Sequence, residues 1–260
     1  METVVESIYD HPKYYDLVFG ADCAAELKFI RGCGEQFATR QVRRLFEPAC
    51  GTGRLMYHLA RKGYVVDGID LNPKAIAFCN QRLARHGLPT SSWVADMSQF
   101  DVKKPYDVAF NTINSFRHLA SEKAVNGHFH CMGQTVRPGG LYLLGVHLTP
   151  TAAEPSDGEA WSARRGHLSI TTRMWTIERN PAKRVERYGI QFNIHNPTRS
   201  WRIDDVLVLR SYTAAQMQRA IAKSGFWEIA ETYDFGYDIR SPITVDAATE
   251  DVVYVLRRVP

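Results

Sequence analysis

Short apolar runs at about 42–47, 64–70, 91–95, 106–111 and 141–148 alternate with helical segments at about 53–62, 73–86 and 120–136, and few folds accommodate that order. Parallel strands need a crossover between each pair, so the rhythm predicts a parallel sheet with helices on both faces. The turn residues agree. Asn72-Pro73 opens one helix, His86-Gly87 closes it, and Arg137-Pro138-Gly139-Gly140 stops another before Leu141-Tyr142-Leu143-Leu144. An amphipathic helix over 22–41, with Leu27, Ile30 and Phe37 toward the core, precedes the sheet. A helix from Thr213 to Ser224, closed by Gly225, leads into FWEIAETYDF and EDVVYVLRRV, which predict a final pair of strands.

Residues 150–210 break the rhythm. They open with the loop-like TPTAAEPSDGE and then alternate with period two. In HLSITTRMWTIERN one face carries Leu168, Ile170, Thr172 and Met174, and the other carries Ser169, Thr171, Arg173 and Trp175. Asn180-Pro181 makes a turn, and RVERYGIQFNI and SWRIDDVLVL repeat the pattern. The expectation is a three-stranded antiparallel sheet inserted between the fifth parallel strand and the last helix.

A chain of 260 residues, 45% of them hydrophobic, suffices for one sizeable domain or a domain with a large insertion. Its net charge of +4 comes from 32 basic and 28 acidic residues without a run of about five like charges, which does not call for nucleic acid. The start METVVESIYD is acidic, and no stretch of eighteen apolar residues appears, so a soluble, cytoplasmic protein without membrane contact is expected. The five cysteines, at 23, 33, 50, 79 and 131, form no Cys-x-x-Cys pair and are read as reduced thiols. His128, His130 and Cys131 come nearest to a metal cluster, but the two histidines point to nearly opposite sides of a helix. The reading there is an exposed helix and no metal.

The glycine-rich turn in LFEPACGTGRL, at the end of the first run, narrows the ligand. A triphosphate loop would place a lysine after its last glycine, and none follows Gly53. A dinucleotide loop would carry a third glycine, and here the series is Ala49, Gly51, Gly53 and then Arg54. Glu47 at the strand end would repel a pyrophosphate, yet it could hold an ammonium group by Coulomb attraction or through a water. Asp70 ends the second run, where a carboxylate accepts from ribose hydroxyls, a feature that fits NAD equally well. Asp96 ends the third run, placed to accept from an adenine amino group while the Met97 N–H meets a ring nitrogen. An amine, a ribose and an adenine without phosphate describe S-adenosylmethionine.

On these residues the chain resembles the class I S-adenosylmethionine-dependent methyltransferases. The likeness covers about 40–148 and 211–258 and rests on E-P-A-C-G-T-G, Asp70, the Ala95-Asp96-Met97 step and R-P-G-G before a fifth strand. It implies a Rossmann-like α/β fold with a seven-stranded sheet, a terminal antiparallel strand and helices on both faces. It also divides the chain into an N-terminal lid or helical segment (1–40), a cofactor-binding core (41–149 and 211–260) and an inserted antiparallel β cap (150–210). Ala49 replaces the family's first glycine, adding one methyl group. The implied cofactor contacts are Tyr15, Glu47, Ala49, Gly51, Gly53, Asp70, Leu71, Asp96, Met97 and Asn111.

Methyl transfer is an in-line displacement, so the protein must chiefly align a nucleophile and exclude water. In YDVAFNTINSFRHL the resemblance sets Asn114, Ser115, Arg117 and His118 toward the acceptor, and it lacks the Asn/Asp-Pro-Pro-aromatic motif of nucleic-acid and glutamine amino-methyltransferases. A small-molecule nitrogen or oxygen acceptor follows. His118 and His147 are the candidate bases, each against a packing role. Tyr14-Tyr15 resembles an aromatic lid in which a tyrosine closes over the donor. Arg173 and Trp175, with Arg179 and His195, would face the acceptor if the cap resembles that of sugar N-methyltransferases; the other readings are a solvated face or a dimer seam, leaving a monomer or homodimer. Rival functions are an RNA or protein methyltransferase, a noncatalytic S-adenosylmethionine-binding module, and a NAD-dependent oxidoreductase.

Overall fold

The computed structural model describes residues 2–20 and 22–260; Met1 and Ala21, both within the 1–40 segment, lie outside the described residues. In chain order, β1 (Glu2–Val5), a 3-10 turn (Ile8–Asp10), α1 (Pro12–Phe19) and α2 (Ala24–Phe37) precede the alternating part. There follow β2 (Arg44–Pro48), α3 (Arg54–Arg61), β3 (Val65–Asp70), α4 (Pro73–Arg85), β4 (Ser92–Val94), β5 (Tyr106–Asn111), a 3-10 turn (Ser115–His118), α5 (Glu122–Thr135) and β6 (Val136–His147). Four long strands come next: β7 (Gly158–Arg165), β8 (Leu168–Asn180), β9 (Val185–His195) and β10 (Ser200–Arg210). The chain finishes with α6 (Ala214–Ser224), β11 (Trp227–Tyr233) and β12 (Asp251–Arg258).

The main sheet has seven strands in the order β11-β12-β6-β5-β2-β3-β4. Strands β2 to β6 run parallel, and β12 enters between β6 and β11 antiparallel to both. Burial on both faces makes these strands near-continuous apolar runs, because alternate side chains enter different cores. Leu141 and Leu143 of β6 join α2, α3 and α4 on one face, while Tyr142 and Leu144 join α5 and α6 on the other. Each such buried leucine contributes roughly 2 kcal/mol of transfer free energy.

The helix ends follow from the local sequence. Pro73 occupies the first turn of α4, and the Asn72 side chain accepts from the N–H groups of Lys74 and Ala75. Thr213 and Gln216 form a reciprocal capping box on α6, and Gly225 ends it at φ 71°. One boundary departs from the sequence reading. The segment R-P-G-G is absorbed into β6 as an irregularity, with Tyr106 opposite Val136 but Val108 opposite Leu141, and Gly139 at φ 76°.

The second sheet has five strands, ordered β1-β10-β9-β8-β7, where the sequence predicted three. The missed strands are its two edges. β7 is mostly exposed and carries Arg164 and Arg165, so no apolar alternation marks it. β1 lies far away in sequence and pairs parallel with β10, Glu2 opposite Trp201. One face of this sheet, with Ile170, Ile190, Phe192, Ile194 and Ile203, packs on Ile8, Leu17 and Val18 of the N-terminal segment. That segment therefore lies between the cap sheet and the core.

Candidate active site

The carboxyl ends of β2, β3, β5 and β6 converge with the N-terminal segment. At the end of β2 the chain turns through Ala49 (φ 56°), Gly51 (φ 53°) and Gly53 (φ 68°). Gly53 is also the residue from which α3 starts, and a Cβ there would stand 2.3 Å from Cys79 Sγ. A Cβ on Gly51 would meet nothing within 4 Å, so its side of the turn is open. Ala49 does more than add a methyl group. It holds a left-handed conformation that favours glycine and that typically costs an alanine about 1 kcal/mol.

Asp70 fixes that turn to the next strand. Its Oδ2 accepts from the Gly51 N–H at 2.8 Å and its Oδ1 from the Asn72 N–H at 2.8 Å. Burial pushes its carboxyl up from the ordinary range, and the N–H groups of Asn72, Gly51 and Leu71 oppose the shift. Leu71 itself is 70% exposed, an apolar side chain standing free beside this carboxylate. Asp96 accepts from both the N–H and the hydroxyl of Ser98 at 2.7 Å. Asn111 is buried and donates to the Pro48 carbonyl at 3.3 Å, tying β5 to β2.

Glu47 is 7% exposed, and its Oε2 has no hydrogen-bond partner within the chain. Burial raises its carboxyl well above the usual range, opposed by the nearby Arg54 charge. Arg54 is already engaged by both oxygens of Glu26, and Glu26 Oε1 also accepts from the Thr112 hydroxyl at 2.7 Å. An orphaned buried carboxylate oxygen costs about 1–3 kcal/mol unless a donor reaches it.

The structure separates the two adjacent tyrosines of the lid. Tyr15 lies where its phenol feels the charges of Arg54 and Asp70, and burial pushes it up to about 12. Tyr14 turns the other way, with its ring 5.9 Å from His11 and 5.8 Å from Trp201, so it packs against the cap and away from the strand ends. The tyrosine that meets His118 is Tyr9, whose hydroxyl lies 2.9 Å from His118 Nε2. Desolvation and then the Arg117 charge lower the His118 pKa, favouring the neutral imidazole, while burial holds the Tyr9 phenol protonated. Nothing in the sequence distinguishes Tyr9 from its aromatic neighbours, and 109 positions separate it from its partner.

Other expected acceptor contacts are placed elsewhere. Arg117 is only 1% exposed; it pairs with Glu186 of β9 and donates through Nε to the Arg210 carbonyl at 2.9 Å, so it stitches the core to the cap. Asn114, in a left-handed conformation at φ 56°, spends its side-chain carbonyl on the His147 N–H at 3.0 Å. His147 sits between two carboxylates, with Asp251 2.8 Å from Nδ1 and Glu250 3.3 Å from Nε2. Arg173 and Trp175 lie on the cap face opposite Ile170, Thr172 and Met174, which turns them from the N-terminal segment toward solvent. Trp175 instead covers Gly189, where a Cβ would stand 2.3 Å from the indole.

His128 corrects the reading of an exposed helix: it is completely buried. A backbone carbonyl only accepts, so Nδ1–H donates to Met97 O at 2.9 Å, and Nε2 then accepts from the Tyr142 hydroxyl at 2.9 Å. Burial lowers its pKa to about 4. The histidine thus anchors the Asp96-Met97 step. Among the described residues, no group of three or more His, Cys, Asp or Glu is arranged to hold a metal ion. A cavity of about 430 Å³ lined by Ile30, Val42, Leu45 and Tyr64 lies beside α2 and the start of β2, at the other end of the strand from Glu47.

This sheet order, with a glycine turn and acidic strand ends, is that of the class I S-adenosylmethionine-dependent methyltransferases, and among the described residues no helix is long and apolar enough to cross a membrane. Residues 46–140 match the family described as "Methyltransferase domain", and that part of the chain is a methyltransferase domain. It is 25% identical over 137 residues to a protein of Geobacillus sp. (strain WCH70) named as a methyltransferase, covering 52% of this chain and 56% of that one. The chain thus spans little more than half the length of that relative. It is 22% identical over 186 residues to the dTDP-3-amino-3,6-dideoxy-alpha-D-glucopyranose N,N-dimethyltransferase of Streptomyces fradiae, covering 70% and 69% of the two chains. Among solved structures, an S-adenosylmethionine-dependent methyltransferase from Clostridium acetobutylicum superposes with a TM-score of 0.77 at 16% identity, covering 95% and 97%. The sugar N-methyltransferase KedS8 from Streptoalloteichus sp. gives 0.72 at 19% identity, covering 98% and 94%. The two structural likenesses cover nearly the whole chain and so include both sheets.

Proposed function

We propose that this chain transfers a methyl group from S-adenosylmethionine to a nitrogen of a small amino sugar, in the space between the strand ends and the N-terminal segment. The observation that carries the reading is the Tyr9–His118 pair, an imidazole and a phenol 2.9 Å apart, with the Tyr9 carbonyl accepting from Asn72 just past Asp70. The residues fit the cofactor. Asp70 is half-buried at the strand end and fixed by the Gly51 and Asn72 N–H groups, the Gly51 side of the turn is open, and Glu47 Oε2 lacks the donor that an ammonium group brings. Bound there, S-adenosylmethionine supplies an electrophilic methyl group. In the tautomer that carries its proton on Nε2, His118 donates to the Tyr9 oxygen and keeps its Nδ1 lone pair to receive the proton that the acceptor nitrogen gives up. An amine that is neutral when it attacks needs such a group only to dispose of its proton, so binding and alignment carry most of the rate.

Two similarities support the amino-sugar reading: the matched dimethyltransferase is named for a dTDP-amino sugar, and KedS8 is named a sugar N-methyltransferase. Five cysteines without disulfide partners support placing the reaction in a reducing, cytoplasmic compartment. Calorimetry with S-adenosylhomocysteine and a methylation assay on dTDP-amino sugars test the reading. Asp70→Ala should abolish binding, while His118→Ala should bind normally and turn over about 10²-fold more slowly. Unchanged turnover in the histidine variant would remove it from the mechanism. Tight NAD binding without S-adenosylhomocysteine binding would overturn the whole reading.

A further inference from the structure

Asp16 is not one of the strand-end acids, yet it is 1% exposed and joins three parts of the molecule. From α1, its Oδ1 accepts from the Thr52 hydroxyl at 3.1 Å inside the cofactor turn. The same oxygen pairs with Arg82 of α4, and Arg82 also donates to the Thr52 carbonyl at 3.2 Å. The turn residue is thus gripped at both its side chain and its backbone. The other carboxylate oxygen, Oδ2, accepts from Arg165 at 3.2 Å, and Arg165 belongs to the cap edge strand β7. Thr52 lies between Gly51 and Gly53, both at positive φ, so the turn has little stiffness of its own and takes its shape from what holds it. Gly51 in turn donates to Asp70.

We propose that Asp16 is a positioning residue that couples the cap to the cofactor turn, so that the Arg165 contact from β7 strengthens cofactor binding at a distance. The inference rests on the S-adenosylmethionine reading of the turn. Three polar partners hold one buried carboxylate: without Arg165, Asp16 retains Arg82 and Thr52 on one oxygen, but its cap-side oxygen is released and the carboxylate is less firmly fixed. Coupling of this kind is reciprocal, so a ligand that fixes the turn should also order β7.

Arg165 has a side chain 59% exposed, so removing it leaves the fold intact and reads the coupling alone. Calorimetry with S-adenosylhomocysteine should show Arg165→Ala binding about two- to fivefold more weakly than wild type. Arg164→Ala, next to it on β7 with a side chain that donates to the Gly166 carbonyl, should bind as wild type does. In a double-mutant cycle the effects of Thr52→Val and Arg165→Ala should be non-additive, because both act through Asp16. Hydrogen exchange of β7 amides should slow on ligand addition in wild type and slow less in Arg165→Ala. Wild-type affinity in Arg165→Ala, or additive effects in the cycle, overturns this inference and leaves the cofactor assignment standing. Absence of binding in wild type refutes the cofactor reading and the coupling with it.

Discussion

The His128 imidazole makes the stability of this protein depend on pH in a direction that can be worked out. Its pKa is about 4 in the fold against an ordinary value of 6.5, because burial penalises the charged ring. Between these values the unfolded chain binds the proton and the native one does not, so protonation drains stability as pH falls. The contribution is fully present above pH 6.5 and is lost progressively toward pH 4. From RT ln[(1+10^(6.5−pH))/(1+10^(4−pH))], the loss is about 0.2 kcal/mol at pH 7 and about 2 kcal/mol at pH 5. His58 and His118 are also lowered by burial and add in the same direction, whereas the raised carboxyls of Glu47 and Asp70 act oppositely, so the wild-type slope alone is not diagnostic. The comparison with His128→Asn is diagnostic. Asparagine can place an amide N–H near the Nδ1 position and keep the Met97 bond, but it does not titrate, and it leaves the Tyr142 hydroxyl unpaired at a cost of about 1–3 kcal/mol. Urea unfolding followed by far-ultraviolet circular dichroism should show wild type losing about 2 kcal/mol more than the variant between pH 7 and pH 5. Equal losses in the two proteins would refute the argument.

Three further outcomes follow from the site geometry. Arg117→Ala should destabilise by about 3–5 kcal/mol in thermal unfolding, because it strands the buried Glu186 carboxylate, while replacing both partners by apolar residues should recover much of that. Native stability with lost acceptor binding in Arg117→Ala would return this residue to substrate recognition. Ala49→Gly should bind S-adenosylhomocysteine normally and keep its stability within about 1 kcal/mol, since relief at positive φ offsets the added freedom of the unfolded chain; Ala49→Val should lose about 1–2 kcal/mol or more. Arg173→Ala and Trp175→Ser, on the outward cap face, should leave cofactor affinity and acceptor KM unchanged, and a raised KM in either would place that face at the substrate.

Much of the core was legible because its physics is local or periodic. Parallel strands buried on both sides read as apolar runs, and β5 was located to the residue at 106–111. Asn72-Pro73 and Gly225 each terminate a helix by a mechanism that needs only neighbouring residues. The glycine turn and Asp70 stand together at neighbouring strand ends because consecutive parallel strands bring their following loops to one edge of the sheet. What escaped depends on partners distant in the chain. β1 owes its strand character to β10, some two hundred residues away, and β7 is an exposed edge with nothing apolar to alternate. The periodicity of β8 sorted its two faces correctly, but only the packing of α1 reveals which face turns inward. Arg117 and His128 are polar residues buried by a single partner each side, and Tyr9 becomes a site residue only because the 3-10 turn brings it to His118.

The placement of β12 has a consequence for how the sheet comes together during synthesis. Its residues Val252 to Leu256 are wholly buried, with β6 on one flank and β11 on the other. Until residues 251–258 are made, β6 presents an unpaired edge and β11 has no strand to pair with, the kind of incomplete sheet through which nascent chains associate wrongly. The two aliphatic layers can begin to collapse around β2 to β6, but the sheet is zipped shut by the strand made last. A ribosome stalled a few dozen residues early would hold a parallel half-sheet with an open edge, and the closing step would be the arrival of one strand that docks on β6 and carries β11 into the sheet.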